Sequence, residues 1–303
     1  MSLGIYTPTY YSNASSESYW PLLTMIASGR QNLREFSIQK LNFNSTKTFI
    51  NLASFFSGCQ SLESFDFGET DTSYNSSLYR MFYNCKAIED VDLSWMSTPS
   101  VTTMAQIFYG CSNLKTFNFN NFNWTNITTI ADMFYNCTSI EDITLTIPDA
   151  PKLTTATSLF SGCKALKTLN LRNAKLNLIT SMSNWFYNCT SLEELDLSYL
   201  DISKVTTYSA MFRECTSLKK VNLQCIKNTA NISAAQMFEN CKNLEEVDIR
   251  NWDISKLTTA ANYTGIFTNV PYTCKFIVKN EACRTWMKAR NSAFNNVKLP
   301  SEL

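Results

Sequence analysis

One feature constrains the fold of this chain more than any other: a cysteine that returns every 26 residues. In most copies it follows bulky apolar residues and then a Gly or Asn, as in the repeated segment MFYNC. A strict period of this length predicts stacked coils that bury one continuous core. One more unit fits at each end after a step of 29 residues, with Arg30 and Val270 in the cysteine position. The periodic cysteines are Cys59, Cys85, Cys111, Cys137, Cys163, Cys189, Cys215 and Cys241.

The residues that follow each cysteine predict a short strand. Positions three, six and eight after the cysteine are apolar in nearly every unit, as are Leu192, Leu195 and Leu197 after Cys189. Two apolar residues separated by a single residue, as at positions six and eight, and flanked by polar residues are typical of a half-buried strand. Stacked in register, these segments predict a parallel sheet with one strand from each coil.

The residues that precede each cysteine predict one or two helical turns on the other side of the coil. Val101, Met104, Ile107 and Phe108 have a helical spacing. The residue just before the cysteine position is Gly or Asn in almost every unit, and both types tolerate the left-handed conformation that ends a helix. Glu214 is the exception, so its helix is expected to end differently or under strain.

The periodic cysteines are interpreted as buried structural thiols. Neighbouring parallel side chains about 4.8 Å apart do not match the Cβ separation of about 3.8 Å that a disulfide needs. A column of parallel side chains also does not converge on a metal ion. Cys274 and Cys283 lie outside the period, as does Cys225, and the first two could pair in the C-terminal cap. In that cap, the segment NEACRTWMKAR predicts a helix that starts at Asn280.

An isolated coil cannot bury its inward side chains, because the coils above and below cover them. The chain of 303 residues is therefore expected to form a single solenoid domain. Its predicted parts are an N-terminal cap over residues 1–33, repeats over 34–270, and a C-terminal cap with a strand and a helix over 271–303.

The composition restricts the possible functions. The chain has no histidine, which excludes every Ser-His, Cys-His and His-metal arrangement. A formal net charge of +1 is far from the basic field that nucleic-acid binding requires. No apolar run is long enough to span a bilayer. We therefore expect no catalysis, no cofactor, no bound metal, no nucleic-acid partner and no membrane insertion.

The repeat resembles the BspA-like leucine-rich repeats. The segments LDLSWMSTPSVTTMAQIFYGCSNL and LDLSYLDISKVTTYSAMFRECTSL are similar to that family's LDLS…MF..C..L pattern, and the resemblance covers roughly residues 20–298. It implies an α/β fold: a right-handed, leucine-rich-repeat-like solenoid of about ten coils, with a concave parallel sheet and short helical turns on the other side. It also implies a secreted or surface-anchored protein that acts in adhesion and host-protein binding, although no leader or anchor is recognised in the sequence.

Equivalent positions of stacked coils become neighbours, so columns of the repeat can be interpreted as surfaces. Position four alternates in sign from Glu89 onward, which predicts attraction between adjacent coils. Position seven is mostly Asp or Asn and is expected on the concave face. Trp95 and Tyr199 belong to a mostly polar column at position ten and are expected to be exposed beside that face, where such residues anchor interfaces. Phe122 and Trp252, at position eleven, are expected in the core.

These columns supply the candidate binding residues. Position seven also has an alternative interpretation, a ladder of side chains that hydrogen-bond one another, and we favour it for the Asn and Thr members. Asp66 and Asp92 lack a neutralising neighbour in that column, so they are better ligand candidates. A set of tyrosines two residues before the cysteine either seals the coil edges or forms an aromatic strip. The ligand-binding candidates are Asp66, Asp92, Trp95, Arg172, Asp196, Tyr199, Asp248 and Arg250, and the strip is Tyr83, Tyr109, Tyr135 and Tyr187.

The expected function is non-catalytic recognition or adhesion by a monomer, which binds a protein or a glycan through the solenoid surface, outside the cell or at its surface. A large preformed surface without a catalytic motif motivates this expectation, together with the resemblance. The alternative is a cytoplasmic interaction scaffold. The chain has eleven cysteines, and their interpretation as mostly buried thiols is compatible with that location. An enzyme that relies on carboxylates, alone or with a metal, is the third possibility.

Overall fold

The computed structural model describes residues 2–5, 27–38, 51–68, 70–227 and 232–303. Its residue contacts divide the chain into two compact units, Met1–Ile140 with Asp149–Lys152 and Glu141–Pro148 with Leu153–Leu303. Residues 6–26, most of the predicted N-terminal cap, lie outside the described residues. The single solenoid domain stays a prediction.

Within its described residues, the first unit contains five short strands: β1 (Ser2–Ile5), β2 (Glu35–Ile38), β3 (Ser64–Asp66), β4 (Asp90–Asp92) and β5 (Thr116–Asn118). They form one parallel sheet in the order β1-β2-β3 and a second parallel pair, β4-β5. The register places the central residues of neighbouring strands opposite each other, as with Val91 and Phe117.

The second unit contains seven strands among its described residues: β6 (Asp142–Thr144), β7 (Thr168–Asn170), β8 (Glu194–Asp196), β9 (Lys220–Asn222), β10 (Glu246–Asp248), β11 (Lys275–Ile277) and β12 (Val297–Lys298). β6 pairs with β7, and β8 to β12 form a sheet in sequence order, with every pairing parallel. Helix α1 (Glu281–Arg290) and the short 3-10 helices Ile254–Lys256, Ala260–Asn262 and Pro300–Glu302 complete the unit.

The core of each unit is built from columns of equivalent apolar side chains. In the first unit the buried rings of Phe82, Phe108 and Phe134 follow one another with centroids 5.8 and 5.7 Å apart. The second unit repeats the arrangement with Phe212 and Phe238, whose ring centroids are 5.5 Å apart and whose ring planes are nearly parallel. This packing covers the apolar faces that a single coil would expose, so neighbouring coils stabilise one another.

The cysteines are buried free thiols, as the sequence predicts. Each typical thiol donates to the carbonyl of a Phe in the preceding coil: Cys85 Sγ lies 3.1 Å from Phe56 O, and Cys189 Sγ lies 3.2 Å from Phe160 O. Cys274 and Cys283 are also free, so the pairing that the sequence left open is absent.

The predicted helical turns are wrong in detail, because the segments before the cysteines are successive tight turns. In the coil of Cys85, Met81 N donates to Leu78 O at 3.1 Å and Cys85 N donates to Phe82 O at 3.0 Å. Alternate N–H groups donate to the next coil instead, as Phe82 N does to Ile107 O at 3.0 Å. An α-helix needs these groups for bonds within the segment, so bonding between coils replaces it.

Two residues of each such segment adopt left-handed backbone conformations. The residue before the cysteine is one of them, as predicted, and Glu214 adopts the same conformation as the Gly and Asn residues, with φ of 64°. The other lies five residues before the cysteine and is not predicted, since non-glycine residues rarely have positive φ. Each left-handed residue takes the third place of a turn, where a type II turn requires it. The second column is Ser54, Arg80, Gln106, Asp132, Ser158, Asn184, Ala210 and Gln236, with φ between 52° and 59°.

The C-terminal cap follows the prediction closely. Asn280 is the N-cap of α1, and its side-chain oxygen accepts a hydrogen bond from Cys283 N at 3.0 Å. Cys283, Trp286 and Met287 share the buried face, and Lys288 and Arg290 lie in the last turn, where positive charge complements the helix dipole.

Both units are built from parallel β-solenoid turns of about 26 residues, about nine turns among the described residues, with little helix. The leucine-rich-repeat-like fold is therefore confirmed, with turns in place of the expected helices. One strand comes from each coil because the inward and outward residues alternate only over the few positions after the cysteine.

Candidate functional site

The outward face of the strands carries the position-seven side chains, and most of them bind their own backbone. Asp66 Oδ1 accepts from Gly68 N at 2.7 Å, Asp92 Oδ1 from Ser94 N at 2.8 Å, and Asp196 Oδ1 from Ser198 N at 2.9 Å. These are Asx turns that end the strands. Hydrogen bonds from the Ser94 side chain and amide hold the pKa of Asp92 below its ordinary value. The column thus has a structural role that neither interpretation of the sequence contained.

Asp248 and Arg250 neutralise each other. Arg250 Nη2 lies 2.5 Å from Asp248 Oδ2, and Gln224 Nε2 donates to the same oxygen at 2.9 Å. Asp248 is buried and Arg250 is half-buried. Their hydrogen-bonding capacity is therefore largely used within the fold, and they are weaker ligand candidates than the exposed members of the set.

Charged side chains on the outward face form ion pairs across strands that are hydrogen-bonded to each other. Lys115 Nζ lies 2.7 Å from Glu89 Oε2 across β4-β5, and Lys219 Nζ lies 2.6 Å from Glu193 Oε2 across β8-β9. In both pairs the lysine immediately precedes the second strand and binds the glutamate that immediately precedes the first. The alternation of sign at position four therefore acts between hydrogen-bonded strands, where each exposed pair contributes about 0.2–1 kcal/mol.

Trp95 lies where the sheet of the first unit is interrupted, since the described strands β3 and β4 belong to separate sheets. The side chain is 39% exposed, as its column predicts. Its ring stacks on Phe67 at 5.6 Å, and its Nε1 donates to Asp92 O at 3.0 Å. In the intact pair β4-β5 the equivalent carbonyl, Asn118 O, accepts a backbone N–H from Leu93 at 2.9 Å. The indole thus takes the place of a backbone donor.

Tyr199 lies at a matching interruption in the second unit, between the described strands β7 and β8. Leu197 N donates to Asn222 O at 3.0 Å in the intact pair β8-β9, whereas Leu171 N donates to the hydroxyl of Tyr199 at 3.3 Å. The guanidinium carbon of Arg172 lies 4.5 Å from the centre of the Tyr199 ring. Tyr199 is consequently half-buried, not exposed as predicted, because Arg172 and the backbone cover it.

An open depression of about 430 Å³ forms at this interruption. It brings together three predicted residues, Arg172, Asp196 and Tyr199, and adds several that the sequence analysis did not select. Most of the added residues are exposed because alternate strand residues point outward, whereas Leu195 is buried and Leu169 is half-buried. The lining is Lys167, Thr168, Leu169, Asn170, Arg172, Glu193, Glu194, Leu195, Asp196 and Tyr199. The depression presents cationic and anionic groups, an amide and one aromatic ring, and side chains of these types can bind a polar ligand.

Three of the four strip tyrosines form a stack on the first unit. Tyr83 and Tyr109 have ring centroids 4.8 Å apart, and Tyr109 and Tyr135 have centroids 4.5 Å apart with an interplanar angle of 3°. The rings are half-buried, which supports the sealing role over an open aromatic surface. Tyr187 belongs to the second unit and has Arg213 at 5.9 Å from its ring.

A ladder of hydrogen-bonded polar side chains in the first unit was missed by sequence reasoning. Arg80 Nε donates to Gln106 Oε1 at 2.5 Å, Gln106 Nε2 donates to Asp132 Oδ2 at 3.0 Å, and the Arg80 guanidinium lies 4.8 Å from the Tyr83 ring. The three residues are spaced by 26, so the repeat alone contained the signal.

Two further observations concern the described residues only. No group of three or more Cys, Asp or Glu side chains in them is arranged to hold a metal ion. None of their helices combines the length and the apolar character that a membrane crossing would require.

Comparisons with known proteins extend this description. No curated protein matches the chain. Among solved structures, the chain is similar to a leucine-rich repeat protein of T. pallidum, with 20% identity, 56% of this chain and 72% of that chain covered, and a TM-score of 0.37. The pneumococcal vaccine antigen PcpA is similar with 15% identity, coverage of 88% and 68%, and a TM-score of 0.42. A leucine-rich repeat protein from Bacteroides ovatus is similar with 18% identity, coverage of 83% and 85%, and a TM-score of 0.31.

A family profile agrees with the repeat. The profile described as "Mycoplasma protein of unknown function, DUF285" matches residues 25–147 and 154–273, which is most of the chain. The resemblance to BspA-like leucine-rich repeats is thereby confirmed. The chain belongs to the DUF285 family, a Mycoplasma BspA-like family of leucine-rich repeat proteins.

Proposed function

We propose that this protein is a non-catalytic recognition or adhesion protein, which acts outside the cell and binds a protein or a glycan through the outward face of its parallel strands. Solenoids characteristically bind partners on such extended surfaces. One observation carries the proposal: Arg172, Asp196 and Tyr199, chosen from three different columns of the sequence, line one open depression. Trp95 adds an exposed aromatic side chain on the same face of the first unit.

The rigidity of the surface supports this role. On either side of the interruption, β7 is tied to β6 and β8 to β9 by backbone hydrogen bonds, and Arg172 N is held by Asn170 Oδ1 at 3.1 Å. A preformed surface loses little conformational entropy on binding. Arg and Tyr are also among the residue types that contribute most to binding energy.

The test is a screen of the full chain on protein and glycan arrays, repeated with variants. We expect the ligands of the wild type to be lost or weakened in a Trp95→Ala variant or in an Arg172→Ala, Tyr199→Ala double variant. Thr154→Ala, which alters an exposed residue outside the depression, is the matched control and should bind as the wild type does. Ligands that bind all four proteins equally would contradict the proposed surface.

A cytoplasmic interaction scaffold is the second candidate. All eleven cysteines are free thiols, a state typical of a reducing compartment. Protease treatment of intact cells of the source organism separates the two locations. Digestion of the protein favours the surface role, and protection until the cells are lysed favours the scaffold.

A further inference from the structure

Among the described residues, the guanidinium of Arg172 contacts an aromatic ring and uses none of its own N–H donors. Its guanidinium stacks over Tyr199, and the ring in turn is fixed by the bond between the Tyr199 hydroxyl and Leu171 N. Stacking on a ring face leaves the N–H edges of a guanidinium directed sideways. Arg172 is exposed, so these edges reach solvent at the depression.

Three of the four other arginines of the second unit have acidic partners among the described residues, and the fourth, Arg290, donates to Trp286 O at 3.0 Å. Arg213 lies 3.2 Å from Glu239, Arg250 lies 2.5 Å from Asp248, and Arg284 contacts both Glu281 and Glu302. Within the part of the chain that the structure describes, no carboxylate lies within ion-pair distance of Arg172. A planar, oriented fork with free N–H groups matches the two oxygens of a carboxylate.

The rest of the lining limits which anion can approach. Three charges of the lining are paired: Glu193 with Lys219 at 2.6 Å, Glu194 with Lys220 at 3.6 Å, and Lys167 with Glu141 at 2.7 Å. Among the described residues, no cation lies within ion-pair distance of Asp196, the third carboxylate of the lining. The unpaired Asp196 carboxylate would repel a ligand with several negative charges. Carboxylate oxygens, including those of Glu194 in its ion pair, still accept hydrogen bonds, so a ligand that carries one negative charge and several hydroxyl donors satisfies both parts of the lining.

We propose that this depression binds a hexuronic acid residue of a glycan, with its carboxylate on Arg172 and its hydroxyls on Asp196 and Glu194. The inference rests on the proposed recognition function and specifies the ligand class of the same site. The sugar ring supplies its donors without a second charge. A run of acidic peptide residues would instead place one carboxylate per residue near Asp196 and Glu194.

The experiment is a titration of the full chain with trigalacturonate and trimannuronate, followed by calorimetry and by the NMR shift of the Leu171 amide. Fully methyl-esterified trigalacturonate is the matched neutral probe, and triglutamate is the peptide probe. We expect at least one uronate to shift the Leu171 amide saturably. The methyl ester and Arg172→Gln should each weaken binding about tenfold or more, because each removes a charge-assisted bidentate pair.

Two control variants separate the role of Arg172 from a loss of charge or of folding. Lys175→Gln removes the same charge from an exposed residue of the same coil and should leave uronate binding unchanged. Arg172→Lys keeps the charge but loses the planar fork, and should bind more weakly than the wild type. Thermal unfolding of each variant identifies any that has lost its fold.

Four results would overturn the inference: no saturable binding of either uronate, equal binding of the methyl ester, binding unaffected by Arg172→Gln, or tighter binding of triglutamate. The proposed function is judged separately by the arrays. If Arg172→Ala, Tyr199→Ala abolishes binding to an array protein while both uronates fail, recognition at this site stands and the uronic acid assignment falls.

Discussion

The side-chain oxygen of Asn84 occupies the space in which a Cβ of Gly110 would lie, at 2.1 Å from that position. Both residues stand just before a periodic cysteine, in neighbouring coils, and both have left-handed backbones with φ of 57° and 72°. Gly110 is therefore needed twice, for its conformation and for the room that Asn84 uses.

Gly110→Ala should destabilise the protein more than Gly58→Ala. Gly58 has a similar φ of 78°, but its nearest atom to an added Cβ is Gly29 Cα at an ordinary 3.4 Å. Gly58→Ala should cost only the left-handed strain of about 1–2 kcal/mol, and Gly110→Ala should cost a further ~0.5–1.5 kcal/mol because the Asn84 side chain must leave its rotamer. Urea denaturation measures both free energies of unfolding.

Asn84→Ala in the Gly110→Ala background tests the cause. Removing the amide should recover most of the extra loss, so the double variant should approach the stability of Gly58→Ala once the effect of Asn84→Ala alone is subtracted. Equal costs for the two glycine variants would show that the contact with Asn84 is unimportant.

Phe134→Ala should lower the free energy of unfolding by about 3–5 kcal/mol, because it removes a large side chain from a packed core. The ring is fully buried and lies 4.8 Å from Phe117 and 5.7 Å from Phe108, measured between centroids. Chemical denaturation provides the measurement, with the exposed Thr128→Ala as the control in the same unit. A loss near zero for Phe134→Ala would remove this residue from the core.

Trp185→Phe should cost less than Trp286→Phe, although both delete the same indole N–H. Trp185 Nε1 is buried with no hydrogen-bond partner among the described residues, whereas Trp286 Nε1 donates to Leu257 O at 3.1 Å. Burial of an unpaired polar group costs about 1–3 kcal/mol, and its removal offsets the cavity that Phe leaves. Thermal unfolding of the two variants decides the order, and a larger loss for Trp185→Phe would contradict this account.

The stability of the protein should fall as the pH rises above about 9. Burial raises the pKa of Cys59 from 9.0 to about 11 and that of Cys215 from 9.0 to about 12. The unfolded chain therefore loses thiol protons at a pH where the folded chain keeps them, and proton release favours unfolding. Each such thiol contributes a decrease of about 1.4 kcal/mol per pH unit between the two pKa values.

Cys215→Ala provides the check on this pH dependence. The variant should unfold with a shallower alkaline slope than the wild type, measured by urea denaturation at several pH values between 8 and 11. Thr154→Ala should keep the wild-type slope. An unchanged slope in Cys215→Ala would mean that this thiol does not contribute to alkaline unfolding.

Much of the fold follows from the spacing of residues. The period of 26 identified the columns of Phe and Cys, the residue types before the cysteine identified one left-handed position, and Asn280 marked the start of α1. The left-handed column five residues before the cysteine was missed, because it contains Arg80, Gln106, Ala210 and other residues that have no preference for that conformation. Bonds to the adjacent coil, such as Arg80 N to Ala105 O, hold it there.

The candidate site was only partly predictable for a similar reason. Trp95 and Tyr199 share a position in the repeat, and the sequence assigned both to exposed places. It did not indicate that each lies at an interruption between strands, nor that Tyr199 is covered by Arg172, twenty-seven residues earlier in the chain.

The sequence by itself determined the repeat, the strand in each coil, the buried thiols and the residues that can reach the outward face, because those properties depend on the local alternation of apolar and polar residues. Only the tertiary structure decided which strands pair, where the sheets are interrupted, and which side chains meet at the depression. Those outcomes depend on contacts between coils, because a backbone group of one coil can bond either to a neighbouring strand or to a side chain, as Leu171 N bonds to the Tyr199 hydroxyl.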